Sequence, residues 1–312
     1  MDDPDNLRLI GRITLEYILD LLGLGLEGSG FDPVDVLILM TVSVGNVSHL
    51  KADPDLSRRF AAADAPETAE VKRPVSRVAV AEALELPRET ARRKINRLEK
   101  AGLLVQVRGG LVAVFEARDP EAVVAAAARN ANLLRKMIRV LERHGVTIPR
   151  DTPVSGGDQA LIAPGADLAH LRIISRATME YARTALSAAS RIMGLDLIDV
   201  LITTTAAAAN YGYLKYDLEL STRNSDPDER LPVDLRRPTT RNAIAAALHM
   251  PRETIRRRIA RLVREGFLAD KDGGVIWTVR DRLPEAGMRT MLENRALFVA
   301  MLSSLQRQGV PI

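Results

Sequence analysis

Apolar positions recur along the chain at helical spacing. Leu7, Ile10, Ile13, Tyr17 and Leu21 fall on one stripe, which predicts an amphipathic helix from Leu7 to about Leu26. Gly25, Gly28, Ser29 and Gly30 end it. Asp32 as N-cap and Pro33 in the first turn open a second helix, about Pro33–Leu50. It is apolar nearly all round, through Leu37, Ile38, Met40 and Val44, and is therefore expected at the centre of the fold. A polar loop, Lys51–Pro74, follows. Val75–Leu84 reads as a short helix, and Leu86-Pro87 turns the chain into another, in which Ala91, Ile95 and Leu98 share one face up to a C-cap at Gly102. Leu103–Val107 and Leu111–Phe115 read as strands about Gly109-Gly110. Asp119 and Pro120 open a last helix, Glu121–His144, which Gly145 and Pro149 end.

The whole pattern is then repeated. Shifted by 164 positions, the chain lies on itself without a gap from Leu7/Leu171 to Gly145/Gly309. Arg73–Leu104 and Arg237–Leu268 are identical at 18 of 32 positions. Solenoid repeats have periods of about 20–50 residues, so this unit is a domain rather than a solenoid turn. The expected organisation is residues 1–149, a Pro- and Gly-rich linker 150–167, and residues 168–312, related by a pseudo-twofold. The second copy places helices near Leu171–Ala189, Asp196–Leu214, Arg241–Leu248, Pro251–Glu265 and Glu285–Gln308, with a hairpin about Gly273-Gly274. The fold class expected is mainly α with small β-hairpin wings.

Composition narrows the function. The 312 residues include no cysteine, which excludes disulfides, thiolate metal sites and cysteine nucleophiles. The opening MDDPDN is acidic, unlike a signal peptide, and no uncharged apolar run reaches the roughly 18 residues of a membrane span. A soluble, cytoplasmic, nucleoid-associated protein is expected. The net charge is only +4, but Pro87–Ala101 and Pro251–Glu265 each hold six basic and two acidic residues, so these two helices outweigh the net charge of the whole chain. Positive charge gathered on two equivalent helices is the footprint of a polyanion partner.

Helix, tight turn, helix and hairpin make the winged helix-turn-helix arrangement. Opposite the buried stripe the first reading helix presents Glu89, Arg93, Asn96 and Arg97, flanked by Arg88, Thr90 and Arg92. The second presents Arg252, Glu253, Thr254, Arg256, Arg257 and Arg261. An α-helix fits the DNA major groove, and Arg bonds guanine O6 and N7 with two hydrogens. The wings differ: Arg108 stands at the first turn and can grip phosphate or a narrow minor groove, whereas Asp272 at the second would be repelled, leaving Lys271 to contribute there. A surface charge without a role is the other reading of Arg108. The long loops end in Lys72-Arg73 and Arg236-Arg237, either as solvated chain or as extra phosphate contacts.

The spacing of Ala81, Leu84, Leu86, Thr90, Ile95, Leu98, Gly102 and Leu103, repeated in Ala245, Leu248, Met250, Thr254, Ile259, Leu262, Gly266 and Phe267, resembles the winged-helix regulators of the MarR group. The element order resembles that group as well. Two features depart from it: proline (Pro87, Pro251) where a capping Ser is common, and longer loops. The resemblance implies a transcription regulator that binds double-stranded DNA as a single-chain pseudo-dimer. It also implies terminal helices Leu7–Leu26 and Glu121–His144 packing on Leu171–Ala189 and Glu285–Gln308. Unequal pairs such as Asn96/Ala260 and Arg108/Asp272 make the expected site an imperfect palindrome. The rival reading is a tandem winged-helix protein-interaction scaffold in a chromosome-associated complex.

Asn46 and Asn210 hold matching places in the apolar second helices. Two readings stand: a hydrogen bond between helices, or the polar end of a small-molecule effector pocket with His49 and Tyr211. The histidines are scattered without ligand spacing, and no Ser/His/Asp set or phosphate-binding loop is present. No metal, cofactor or catalytic function is expected. Trp277 is read as packing rather than base stacking.

Overall fold

Side-chain caps fix where the helices begin. The side chains of Ser76, Asp196 and Thr240 each accept a hydrogen bond from the backbone N–H three residues on, at 3.0, 3.0 and 3.1 Å. The computed structural model describes residues 6–62, 71–115, 119–148, 168–223 and 232–311. The proposed linker 150–167 lies outside the described residues. The chain is mainly helical with two antiparallel two-stranded hairpins. No single helix among the described residues is long and apolar enough to cross a membrane.

In the first repeat the elements are α1 (Leu7–Leu26), α2 (Pro33–Asn46), α3 (Pro54–Arg59), α4 (Arg77–Ala83), α5 (Arg88–Lys100), β1 (Leu104–Val107), β2 (Gly110–Ala113) and α6 (Pro120–Arg143). In the second they are α7 (Leu171–Met193), α8 (Leu197–Tyr211), α9 (Leu218–Arg223), α10 (Arg241–Ala247), α11 (Arg252–Glu265), β3 (Leu268–Lys271), β4 (Gly274–Trp277), α12 (Val279–Arg282) and α13 (Pro284–Arg307). The loops expected after α2 and α8 carry the short helices α3 and α9. Asp53-Pro54 signals the first, with the Asp53 carboxylate accepting from the N–H groups of Asp55 and Leu56.

α2 stops at Asn46, short of the expected Leu50. The Asn46 carbonyl, which a longer helix would use internally, accepts from Arg73 N at 2.8 Å instead. Leu50 N then turns to Val47 O at 3.0 Å, and the chain tightens into a 3-10 turn over Ser48–Ala52. The first hairpin closes at Arg108-Gly109, one residue before the expected centre, because Gly110 already pairs with Val107. Gly110 has no room for a side chain: a Cβ there would lie 2.4 Å from the Val75 carbonyl oxygen. Val75 bridges Leu111, and Thr239 bridges Val275, so each hairpin gains one residue of a third strand.

The described chain forms two compact units, and they are not the two sequence halves. One comprises residues 1–33, 137–149 and 185–298; the other comprises 34–136, 150–184 and 299–312. Each helix-turn-helix-hairpin segment, or head, is thus joined by the first helix of the opposite repeat. In the first unit α1 lies on α8. Ile10, Ile13, Tyr17, Ile18 and Leu21 of α1 are buried, as are Leu197, Val200 and Leu201 of α8. Glu16 of α1 pairs with Lys215, and Arg12 Nη2 donates to Ser221 Oγ at 2.9 Å. In the second unit, Glu180 of α7 pairs with Lys51, and Arg176 Nη2 donates to the Phe60 carbonyl at 2.6 Å. First and last helices also meet across repeats: Asn294 donates to Thr14 within the first unit, and Asn130 to Thr178 within the second, both at 2.8 Å. An amphipathic stripe guarantees that α1 and α7 are buried but does not name the surface that buries them. The boundary expected near residue 149 is accordingly replaced by an exchange of helices.

Candidate nucleic-acid interface

The heads are built alike. In each, a tight turn with a non-glycine residue in the left-handed region, Glu85 (φ 51°) or His249 (φ 50°), joins the two helices. Backbone bonds from Leu86 N to Ala81 O (2.9 Å) and from Met250 N to Ala245 O (3.0 Å) close it. Ala81 and Ala245 are buried at that crossing, and Ile95, Leu98, Ile259 and Leu262 seat the second helix on the core. What remains outward on α5 includes Arg88, Glu89, Arg92 and Arg93, with Thr90 half-buried; on α11 it includes Arg252, Glu253, Arg256 and Arg257, with Thr254 half-buried. Arg92 grips Glu89 through Nε (2.8 Å) and Nη2 (2.6 Å), and Arg256 grips Glu253 in the same way. Those hydrogen bonds hold both carboxyls below the usual carboxylate range.

Other predicted readers are bonded to groups of the protein itself, although the Arg97 and Arg261 side chains stay 48% and 40% exposed. Asp35, fully buried in the first turn of α2, accepts from Arg97 Nη1 at 2.8 Å and pairs with Lys94 at 3.2 Å. Asp199 does the same in the other head, pairing with Arg261 and accepting from Arg258 at 2.9 Å, while Arg258 also reaches Asp196 at 2.7 Å. Arg97 and Arg261 thus face the second helices and neutralise buried carboxylates. This departs from the expectation that both read bases: a carboxylate taken out of water demands its counter-ions. Asn96 gives its oxygen to Arg77 Nη1 at 2.8 Å, and Arg77 continues to Glu99.

The wings separate further than their turn residues suggest. Arg108 is exposed at the first. At the second, Lys271 Nζ donates to the carbonyls of Val233 (2.7 Å), Asp234 (3.2 Å) and Arg236 (3.0 Å), so it fastens the preceding segment instead of reaching outward. Lys72 and Arg236, at the loop ends, also turn inward, to the Ala113 carbonyl at 2.9 Å and to Asp281. Their neighbours Arg73 and Arg237 stay exposed, and Arg237 stacks 4.1 Å from the Tyr213 ring.

The expected effector-pocket residues do not come together. Asn46 Nδ2 donates to Arg73 O (2.8 Å) and Leu111 O (2.9 Å), and its oxygen accepts from Ala113 N (2.9 Å). Asn210 repeats this with Arg237 O, Val275 O and Trp277 N. Both amides therefore bolt the second helix to the hairpin, where a bond between helices was expected. His49 is half-buried beside Arg73, and burial, then the Arg73 charge, lowers its pKa. Tyr211 alone of the four lines an apolar cavity of about 100 Å³, where it meets Trp277 edge-on at 6.1 Å. The sequence carried a signal for that cavity in its glycines and alanines, Gly11, Ala208, Gly212 and Gly287, where the other repeat has larger residues. Among the described residues no group of three or more His, Asp or Glu stands ready to hold a metal. No family model, curated protein or solved structure matches the chain.

Proposed function

We propose that the chain is a transcription regulator that binds double-stranded DNA through two winged helix-turn-helix heads, entering the major groove with α5 and α11. The observation that carries this reading is the repeated outward triplet, Arg88, Arg92 and Arg93 on one helix and Arg252, Arg256 and Arg257 on the other, all exposed. The buried carboxylates Asp35 and Asp199 fix the same edge of each helix to the core, so the triplets are held on rigid elements. The binding site is an imperfect palindrome, since only the first head offers an exposed wing arginine and an asparagine at the position of Ala260.

The test is equilibrium binding of the full chain to duplex DNA over a range of salt. Log affinity falls linearly with log salt, by about 0.9 per phosphate contact. Arg93→Ala combined with Arg257→Ala weakens binding and blurs sequence preference. A flat salt dependence, or a double variant that binds like the wild type, overturns the reading. A protein-interaction scaffold is the second reading, favoured by Val105 and Val107, which stand exposed on β1 (43% and 39%).

A further inference from the structure

Each reading helix holds one acidic residue among its outward arginines, at the same place in both repeats. Glu89 is the second residue of α5 and Glu253 the second of α11. They stand in the identical stretches Pro87–Thr90 and Pro251–Thr254. The other acids of these helices have no acidic counterpart, since Glu99 aligns with Val263 and Glu265 with Ala101. Glu99 is moreover held by Arg77 of α4. Glu89 and Glu253 instead stay in solvent, with side chains 74% and 61% exposed. An exposed ion pair adds little to folding, so stability does not account for the repetition of these acids with their arginines.

The grip is the same in both heads. Arg92 Nε donates to Glu89 Oε2 at 2.8 Å and Nη2 to Oε1 at 2.6 Å; Arg256 makes the corresponding bonds to Glu253 at 2.8 and 2.7 Å. A carboxylate has about four acceptor positions, and these bonds use two of them. The guanidinium thus fixes the direction of the carboxylate and offsets its charge, which would otherwise be repelled by phosphate. Each oxygen keeps capacity for another donor. In a helix-turn-helix the N-terminal residues of the second helix are those that meet base edges. The major groove offers a carboxylate the amino groups of cytosine N4 and adenine N6, and the adenine group lies beside the N7 acceptor, which repels an anionic oxygen.

We propose, on the reading that α5 and α11 enter the major groove, that Glu89 and Glu253 each accept a hydrogen bond from the N4 amino group of a cytosine, with Arg92 and Arg256 as positioning residues. Both half-sites then carry a C·G pair at the same place. The palindrome is strict there and imperfect where Asn96 is matched by Ala260.

Selection of duplexes from a random pool by the full chain tests this. The selected sites carry that cytosine in both halves, and any other pair there weakens binding by about tenfold. N4-methylcytosine at the same place keeps its base pairing, puts a methyl group on the major-groove side of the amino group, and weakens wild-type binding to a similar extent. Glu89→Ala with Glu253→Ala folds like the wild type, binds duplex DNA with an unchanged salt slope, and loses both preferences. Glu89→Gln with Glu253→Gln moves the preference to adenine, whose N6 and N7 suit an amide, a change that a merely structural ion pair would not produce. Should the alanine variant fold poorly, the modified base decides with the wild type alone. Salt-dependent binding without a cytosine common to both halves, or an alanine variant that still discriminates, overturns this assignment and leaves the DNA-binding reading standing. Absence of salt-dependent binding to any duplex overturns both.

Discussion

Asn130 donates its side-chain amide to the Thr178 hydroxyl at 2.8 Å, across the repeat boundary. Thr178 spends its own proton on the Ile174 carbonyl at 2.8 Å, which leaves its oxygen free to accept. The same arrangement recurs 164 positions later in Asn294 and Thr14, with Thr14 donating to Ile10 O. A buried polar pair between helices has few alternative partners, so it selects one alignment of the exchanged helices. Asn130→Ala should cost about 1–2 kcal/mol in urea unfolding, and a cycle with Thr178→Val should show a coupling of about 1 kcal/mol. Additive effects would remove this pair as a determinant of the exchange.

The buried aspartates should be the most sensitive polar positions. Asp35→Ala leaves Lys94, itself nearly buried, without its carboxylate, and stability should fall by about 3–5 kcal/mol. Asp199→Ala should behave alike. Urea midpoints report both, and a loss under about 1 kcal/mol would show that the helix edge does not depend on these pairs.

Asn46 makes three hydrogen bonds to three separate backbone groups, so Asn46→Ala should loosen the hairpin more than the helix that carries it. The expected cost is about 2–3 kcal/mol. Hydrogen exchange at Ala113 N–H, whose acceptor is the Asn46 side chain, should accelerate ahead of exchange in α5. Uniform acceleration would contradict the role of a bolt.

His49 gives the stability a dependence on pH. Burial, then Arg73, lowers its folded-state pKa below the ordinary 6.5, so the unfolded chain takes up the proton first. The stabilisation is complete above the unfolded value and is lost as pH falls through the folded one. His49→Tyr, which borrows the residue of the other repeat, should flatten the decline in Tm between about pH 7 and about pH 5. An unchanged slope would assign the acid sensitivity to other groups.

On the proposed function, the two hairpin turns should contribute unequally to DNA binding. Arg108→Ala should lower the salt slope by about one, whereas Lys271→Ala should leave it unchanged and destabilise the fold locally. Asp272→Arg should raise affinity. Equal losses from Arg108→Ala and Lys271→Ala would show that the second wing also reaches phosphate.

Helices and hairpins were legible in the sequence because their signals are local: an apolar stripe, a cap, a glycine at a turn. The displaced hairpin centre was not, since Gly110 answers to Val75, far away in sequence. Arg97 and Arg261 looked like readers because a helical wheel places them outward; only the buried Asp35 and Asp199, 62 residues earlier, pull them back. Contact between the terminal helices of opposite repeats was implied by the resemblance, but the seat of α1 on α8 was hidden. The two heads are built alike, and a stripe of Leu, Ile and Tyr does not say which of the two seats it takes. The cavity became legible only on comparing repeats, where Ala208 and Gly212 replace Val44 and Ser48.

The helix exchange also sets the order in which the molecule is completed. The head that contains α5 is encoded early, yet it needs residues 171–184 for its core and Gln308 as the partner of Ser57. A ribosome releases that head unfinished, with its apolar seat open, until nearly the whole chain has emerged. Either half expressed alone would carry an uncovered seat, which a second copy of the same half could fill with its own first helix.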